Sequence, residues 1–214
     1  MSKCTILFQG DSITDCGRMT CGGAGYNNGG LGPGYPCLIA GRLLCDHPEV
    51  EWNFINRGIS GNRVVDLYAR WKIDGINLAP DVVSILIGVN DTWHEAGNKN
   101  GVEVPRYERI YRELLAWMRE KLPQVKFVLM DPFVCPDVQG RSEFVPEIRQ
   151  RQAVVARLVK EFDAVHLPLQ EIFNDAFKRA PQAHWSADGV HPTMAGHQLI
   201  TDAWIKAAAP LLGI

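Results

Sequence analysis

Short apolar runs without polar alternation, at 5–8, 52–55, 82–87, 127–130 and 164–167, constrain this chain more than any other feature. A strand with one wet face alternates apolar and polar residues. An unbroken run belongs to a strand buried on both faces, as in a parallel sheet covered by helices. Helical patterns fall between the runs. Residues 106–122 place Ile110, Leu114, Trp117 and Met118 three or four apart and stop before Pro123. Residues 147–162 repeat the pattern with Ile148, Val155, Leu158, Val159 and Phe162. A last helix is expected to open at Pro192 and to carry Met194, Leu199, Ile200 and Trp204. Strands alternating with helices predict a doubly wound α/β fold, a three-layer α/β/α sandwich around a five-stranded parallel sheet. The 214 residues suit one domain, 1–214, with no internal repeat and no linker.

The stretch 16–34 breaks this rhythm. It holds Gly22, Gly23, Gly25, Gly29, Gly30, Gly32 and Gly34 without apolar periodicity, and it reads as a long loop after the first strand. Charge narrows the partners. With a formal net charge of −2 there is no basic field to gather nucleic acid or an anionic membrane, so a neutral, small or carbohydrate-like substrate fits better. No secretory leader precedes the first strand and no run approaches the ~20 apolar residues of a membrane span, which favours a cytoplasmic protein. The 6 cysteines include no Cys-x-x-Cys pair, so they read as free thiols, with Cys4 and Cys37 as small core residues.

In an open parallel sheet, ligands bind beyond the carboxyl ends of the strands where the strand order reverses. The first strand delivers Gly10-Asp11-Ser12 there, and the second Gly58-Ile59-Ser60-Gly61-Asn62. The third delivers Gly88-Val89-Asn90-Asp91, and the region after the fifth strand carries Asp188-Gly189-Val190-His191-Pro192. One edge thus collects a hydroxyl, a small turn, an amide and an Asp/His pair. A serine becomes a useful nucleophile when a histidine takes its proton and a carboxylate orients that histidine. Ser12, His191 and Asp188 have those chemistries. A tetrahedral intermediate then needs donors at its oxyanion, and the N–H groups of Ser12 and Gly61 with the side-chain amide of Asn90 would supply three.

Other residues compete for roles. Ser60 also follows a strand, but Asn62 stands where a nucleophile elbow of the Gly-x-Ser-x-Gly type has its last glycine. His184, Asp188, His191 and His197 are close in sequence, yet they match no metal-binding spacing, and His197 should point away from His191. Asp11 and Asp15 are expected to bond nearby N–H groups and shape the serine turn. Trp71 reads as core. Trp93 and Trp185 flank the catalytic loops and read as pocket walls, stacking on a sugar. Arg63 and Arg70 could pair with structural acids or contact substrate. A nucleotide-binding domain of the same architecture would need Gly-x-Gly-x-x-Gly or a phosphate-binding Lys loop, and neither is present. A non-catalytic sugar-binding domain would have no use for the triad chemistry.

The four segments together resemble the SGNH hydrolases, or GDSL-type esterases, over nearly the whole chain. The matching blocks are Phe8-Gln9-Gly10-Asp11-Ser12-Ile13-Thr14-Asp15, Asn56-Arg57-Gly58-Ile59-Ser60-Gly61-Asn62, Ile87-Gly88-Val89-Asn90-Asp91 and Asp188-Gly189-Val190-His191-Pro192. Ile13 stands where the family name has Leu. The resemblance implies a flavodoxin-like sandwich and a serine esterase with no metal or other cofactor. Ser12 would be its nucleophile, His191 its base, Asp188 the partner of His191, and Gly61 and Asn90 would complete the oxyanion hole. Asp15-Cys16-Gly17-Arg18, Gly34-Tyr35, Ala69-Arg70-Trp71, Asn90-Asp91-Thr92-Trp93 and Trp185 further resemble intracellular bacterial acetylxylan esterases. That likeness implies acetylated xylo-oligosaccharides as substrates and a homo-oligomer. Esterase, lysophospholipase or thioesterase activity on other acyl groups is the alternative within the same chemistry.

Overall fold

The computed structural model describes residues 3–20 and 29–214. Within the 16–34 stretch, Cys21, Gly22, Gly23 and Gly25 lie outside the described residues. The first half of the chain runs β1 (Lys3–Gly10), α1 (Ser12–Asp15), α2 (Tyr35–Asp46), β2 (Glu51–Asn56), α3 (Val64–Asp74), β3 (Val82–Leu86) and α4 (Val89–Asn98). The second half runs α5 (Val104–Lys121), β4 (Lys126–Met130), α6 (Val145–Phe162), β5 (Val165–Leu167), α7 (Leu169–Phe177), α8 (Gln182–Trp185) and α9 (Met194–Leu212). The strands form one parallel sheet in the order β2-β1-β3-β4-β5. This is the flavodoxin-like arrangement, with its reversal between β1 and β3.

Both faces of the sheet are buried, which explains the unbroken apolar runs. On β1, Ile6 and Phe8 pack with Ile39, Leu43, Ile200 and Trp204 of α2 and α9. Leu7, between them, faces the other way with Leu67, Trp71, Leu114, Met118 and Leu158 from α3, α5 and α6. Trp71 is a core residue as expected, fully buried with its indole N–H donated to the Leu114 carbonyl at 2.9 Å. Cys37, expected in the core, is instead exposed on α2, and Cys4 is half-buried against the core. No helix of the described residues is long and apolar enough to cross a membrane.

The boundaries depart from the sequence reading in instructive ways. β1 extends through Gln9, because that buried amide donates to the Asp74 carbonyl at 2.6 Å. α5 and α6 each begin two residues before the expected start, taking Pro105 and Pro146 into their first turns, where a missing N–H costs nothing. The last helix does not open at Pro192. Thr193 caps it by accepting from the Gly196 N–H, while Pro192 pairs in an isolated antiparallel bridge with Ser186. That bridge pins the turn carrying His191. Asn90 lies in the first turn of α4, directly after β3.

Candidate active site

The loops after β1, β2 and β3 leave the same edge of the sheet, and the turn before α9 meets them there. Asp11 caps α1 through the Ile13 N–H at 3.0 Å, so the chain turns sharply and Ser12 opens the helix. Gly10 permits that turn, since a Cβ there would collide with Thr14 and the Leu86 carbonyl. The Ser12 hydroxyl lies 2.7 Å from His191 Nε2, and His191 Nδ1 lies 2.6 Å from Asp188 Oδ2. Asp188 Oδ1 accepts the Val190 and His191 N–H groups at 2.9 and 2.7 Å. Burial opposes the charged form of Asp188, but the hydrogen bonds from His191 and these backbone donors outweigh it and hold its pKa below the usual carboxylate value.

The loop after β2 is tightly tied. Asn56 accepts the Gly58 N–H and donates its amide to the Thr14 and Leu31 carbonyls. Ile59 donates to the Gly10 carbonyl, Ser60 donates through N–H and hydroxyl to Asp15, and Asn62 closes a turn on the Ile59 carbonyl. Arg63 and Val64 donate to Asp66 and Asp91. From 57 to 64, the Gly61 N–H alone has no partner among the described residues, and the Ser12 N–H is equally free. Gly61 has φ +82°, a left-handed value that an L residue adopts at a cost, while the space where its Cβ would stand is open. The glycine is needed for backbone conformation rather than for room. Asn90 is buried and donates Nδ2 to the Asn62 carbonyl at 3.1 Å, which leaves one amide hydrogen to point elsewhere.

Competing residues are accounted for by other contacts. The Ser60 hydroxyl is engaged by Asp15, with no histidine bond of the kind that Ser12 makes. His197 lies in the core, accepting the Tyr35 N–H at 3.2 Å and facing Cys16 Sγ at 3.5 Å. Burial, and then the charge of His191, push its pKa down to about 4. Among the described residues no three His, Cys, Asp or Glu side chains are grouped to hold a metal ion. Asp11 bonds its local turn as expected, whereas Asp15 reaches across to the β2 loop. Asp11 and Asp91 are fully buried, and desolvation raises the pKa of each to about 7. Arg63 makes a capping box with Asp66.

The two tryptophans expected as pocket walls differ. Trp93 stands 6.0 Å from the His191 ring, but the Arg141 guanidinium lies over it at 4.1 Å and Phe144 packs at 6.0 Å. A sugar would therefore meet Arg141 before that face of the indole. Trp185 is buried among core residues, edge-on to His184 and under Arg179, and its carbonyl accepts the Thr193 N–H. Sequence reasoning missed Arg141, whose Nε donates to the Asp188 carbonyl at 3.0 Å, and buried Ser186, whose hydroxyl donates to the His191 carbonyl at 2.8 Å. No local pattern marks either one.

A serine, a histidine and a carboxylate in contact at one edge of a parallel sheet are the side chains that acyl transfer through a serine uses. The chain is a member of the GDSL-like lipase/acylhydrolase family, which residues 8–199 match, and it is a carboxylic ester hydrolase. It is 37% identical over 208 residues to an acetylxylan esterase of Geobacillus stearothermophilus, covering 94% of this chain and 92% of that one. The solved structure of a GDSL-like lipase from Parabacteroides merdae is similar, with TM-score 0.93, 40% identity, and coverage of 97% and 96%. Axe2, an acetylxylan esterase from Geobacillus stearothermophilus, has TM-score 0.83 at 36% identity, with coverage of 95% and 93%. A catalytic mutant of Axe2 has TM-score 0.87 at 35% identity, with coverage of 97% and 95%.

Proposed function

We propose that this esterase removes short acyl groups, acetyl first, from carbohydrate esters such as acetylated xylo-oligosaccharides, through an acyl-enzyme formed on Ser12. One observation carries the reading: the unbroken contact from Ser12 Oγ to His191 Nε2 and from His191 Nδ1 to Asp188, at 2.7 and 2.6 Å. His191 takes the Ser12 proton as Oγ attacks the ester carbonyl, and it returns that proton to the departing alcohol. Water, deprotonated by His191, then cleaves the acyl-enzyme to the carboxylic acid and frees Ser12. The oxyanion of each tetrahedral intermediate accepts from the free N–H groups of Ser12 and Gly61 and from the remaining Asn90 amide hydrogen. Each such donor contributes about 2.7–4 kcal/mol where donors of this kind have been removed. Resemblance to the acetylxylan esterases supports the carbohydrate alcohol. The same reading takes residues 1–214 as one cytoplasmic domain that self-associates. Light scattering would test the self-association.

The deciding assay compares wild type with Ser12→Ala on acetylated xylo-oligosaccharides, other acetyl sugars, aryl acetate and aryl butyrate. The reading requires Ser12→Ala to lose activity on all of them, with acetyl xylo-oligosaccharides the best substrates of the wild type. A Ser12→Ala enzyme that keeps most of its aryl acetate activity refutes the nucleophile. Equal rates on acetate and butyrate refute the acyl preference.

A further inference from the structure

Arg70 lies on α3, away from the Ser12–His191–Asp188 contact, yet its guanidinium reaches the end of β1 and the loop after β2 together. Nε donates to Asn62 Oδ1 at 2.8 Å, Nη1 to Gln9 Oε1 at 3.0 Å and Nη2 to the Gly10 carbonyl at 3.4 Å. Asp74 Oδ2 receives Nη1 at 3.4 Å. Asn62 is the second hub. Its side chain holds Arg70, its N–H closes the turn on Ile59 at 3.1 Å, and its carbonyl receives Asn90 Nδ2 at 3.1 Å. The Gly10 carbonyl that Arg70 reaches also accepts the Ile59 N–H at 3.1 Å.

The turn from Ile59 to Asn62 explains why these contacts matter. Its closing bond runs from Asn62 N to Ile59 O, and Gly61, its third residue, has φ +82° while Ser60 has no positive φ. These are the features of a type II turn, whose third N–H is left outside the closing bond. The direction of the Gly61 N–H therefore depends on where Asn62 is held. The plane of the Asn90 amide depends on the Asn62 carbonyl, and the start of α1 depends on the Gly10 end of β1.

We propose that Arg70, acting through Asn62, is a positioning residue that aligns the three oxyanion donors of Ser12, Gly61 and Asn90 with one another. The inference rests on the assignment of those groups as donors, made above. Neither Arg70 nor Asn62 touches the reacting atoms. Their bonds remove the freedom of the β2 loop to drift from β1, and misplacing a catalytic group by about 1 Å can cost on the order of 10²-fold in rate. The planar fork is required, because three acceptors lie in different directions around one side chain. An ammonium on a flexible stem carries its donors at one point and cannot serve all three in the same geometry.

The test measures kcat and KM on aryl acetate per active site titrated with a serine-directed phosphonate, alongside thermal unfolding. Arg70→Lys and Asn62→Ala should each lower kcat roughly 10- to 100-fold with KM changed by less than about threefold. The double variant should be little worse than either single one, since both break the same bond. Asp74→Asn weakens the ion pairs of Asp74 with Arg70 and with Arg57 at the start of the β2 loop, but it leaves the Arg70 bonds to Asn62, Gln9 and Gly10 in place, so it should lower stability while kcat is retained. A merely structural Arg70 would lower the Tm and leave kcat per titrated site unchanged, and that result overturns the proposal. Asn90→Ala separates the two layers. If it costs about 10²-fold or more while Arg70→Lys and Asn62→Ala keep wild-type kcat, the positioning role is wrong and the donors stand. If Asn90→Ala keeps full kcat, the donor assignment falls and the positioning proposal falls with it.

Discussion

Replacing Asp188 by asparagine tests the triad through a consequence of its geometry. Asp188 Oδ1 accepts two backbone N–H groups, from Val190 and His191, at 2.9 and 2.7 Å. An asparagine at this position can keep both bonds only by placing its oxygen there. Its NH2 group must then face His191 Nδ1, where the carboxylate oxygen now sits at 2.6 Å. A donor in that position forces Nδ1 to accept, which puts the ring proton on Nε2, the atom facing the Ser12 hydroxyl. The histidine can no longer take the serine proton. An amide in place of a triad carboxylate has cost about 10⁴ in kcat elsewhere, or about 5 kcal/mol of barrier at 1.36 kcal/mol per decade.

Stability should change much less. Two backbone bonds pass from a charged to a neutral acceptor, a loss of roughly 1 kcal/mol each. For a chain of this size that lowers Tm by about 2–4 °C per kcal/mol. Asp188→Ala abolishes both backbone bonds and should be the less stable of the two, although its alanine does not dictate the ring tautomer. The assay is kcat on aryl acetate for wild type, Asp188→Asn and Asp188→Ala, with urea unfolding of each. An Asp188→Asn enzyme that unfolds like the wild type and retains kcat within tenfold refutes the triad assignment.

Gly61→Ala should cost about 1–2 kcal/mol of stability, the penalty of a left-handed conformation for an L residue. No clash adds to that cost, because nothing stands within 4 Å of the new Cβ; a Tm equal to wild type would show that the backbone at 61 does not hold φ +82°. Asp11 supplies a pH test. Burial raises its pKa from 3.8 to about 7, so the folded state binds its proton more tightly than the unfolded chain does. Its contribution to stability is present below about pH 4 and lost as the pH climbs through 7. Asp11→Asn keeps an acceptor for the Ile13 N–H, so the variant should gain stability relative to wild type between pH 4 and pH 8. Equal pH slopes in urea unfolding would exclude Asp11 as the titrating group.

Parallel strands could be read from the chain because burial on both faces removes polar alternation, and local patterning records burial directly. The end of β1 was less legible, since Gln9 is admitted to the sheet by a carbonyl 65 residues away. Helix starts slipped at Pro105 and Pro146 because proline's place in a first turn depends on the turn that precedes it. The last helix slipped for the opposite reason: a Ser186–Pro192 bridge, invisible in local sequence, claimed its expected first residue.

The candidate site divides along the same line. Ser12, His191 and Asp188 stand out in sequence because their chemistry is short-range: a turn that exposes a hydroxyl, and an acid three residues before its histidine. Their meeting is tertiary, since Ser12 and His191 are 179 residues apart and only the common strand edge brings them together. Trp93 looked like an open platform for sugar until Arg141, from a short 3-10 helix far along the chain, laid its guanidinium over one face. Arg70 was undecided between partners because a guanidinium has no fixed target until the fold supplies acceptors. Periodicity and motif chemistry thus determined the layers and the candidate residues. The packing of distant segments decided which donors are consumed and which, like the Ser12 and Gly61 N–H groups, have no partner among the described residues.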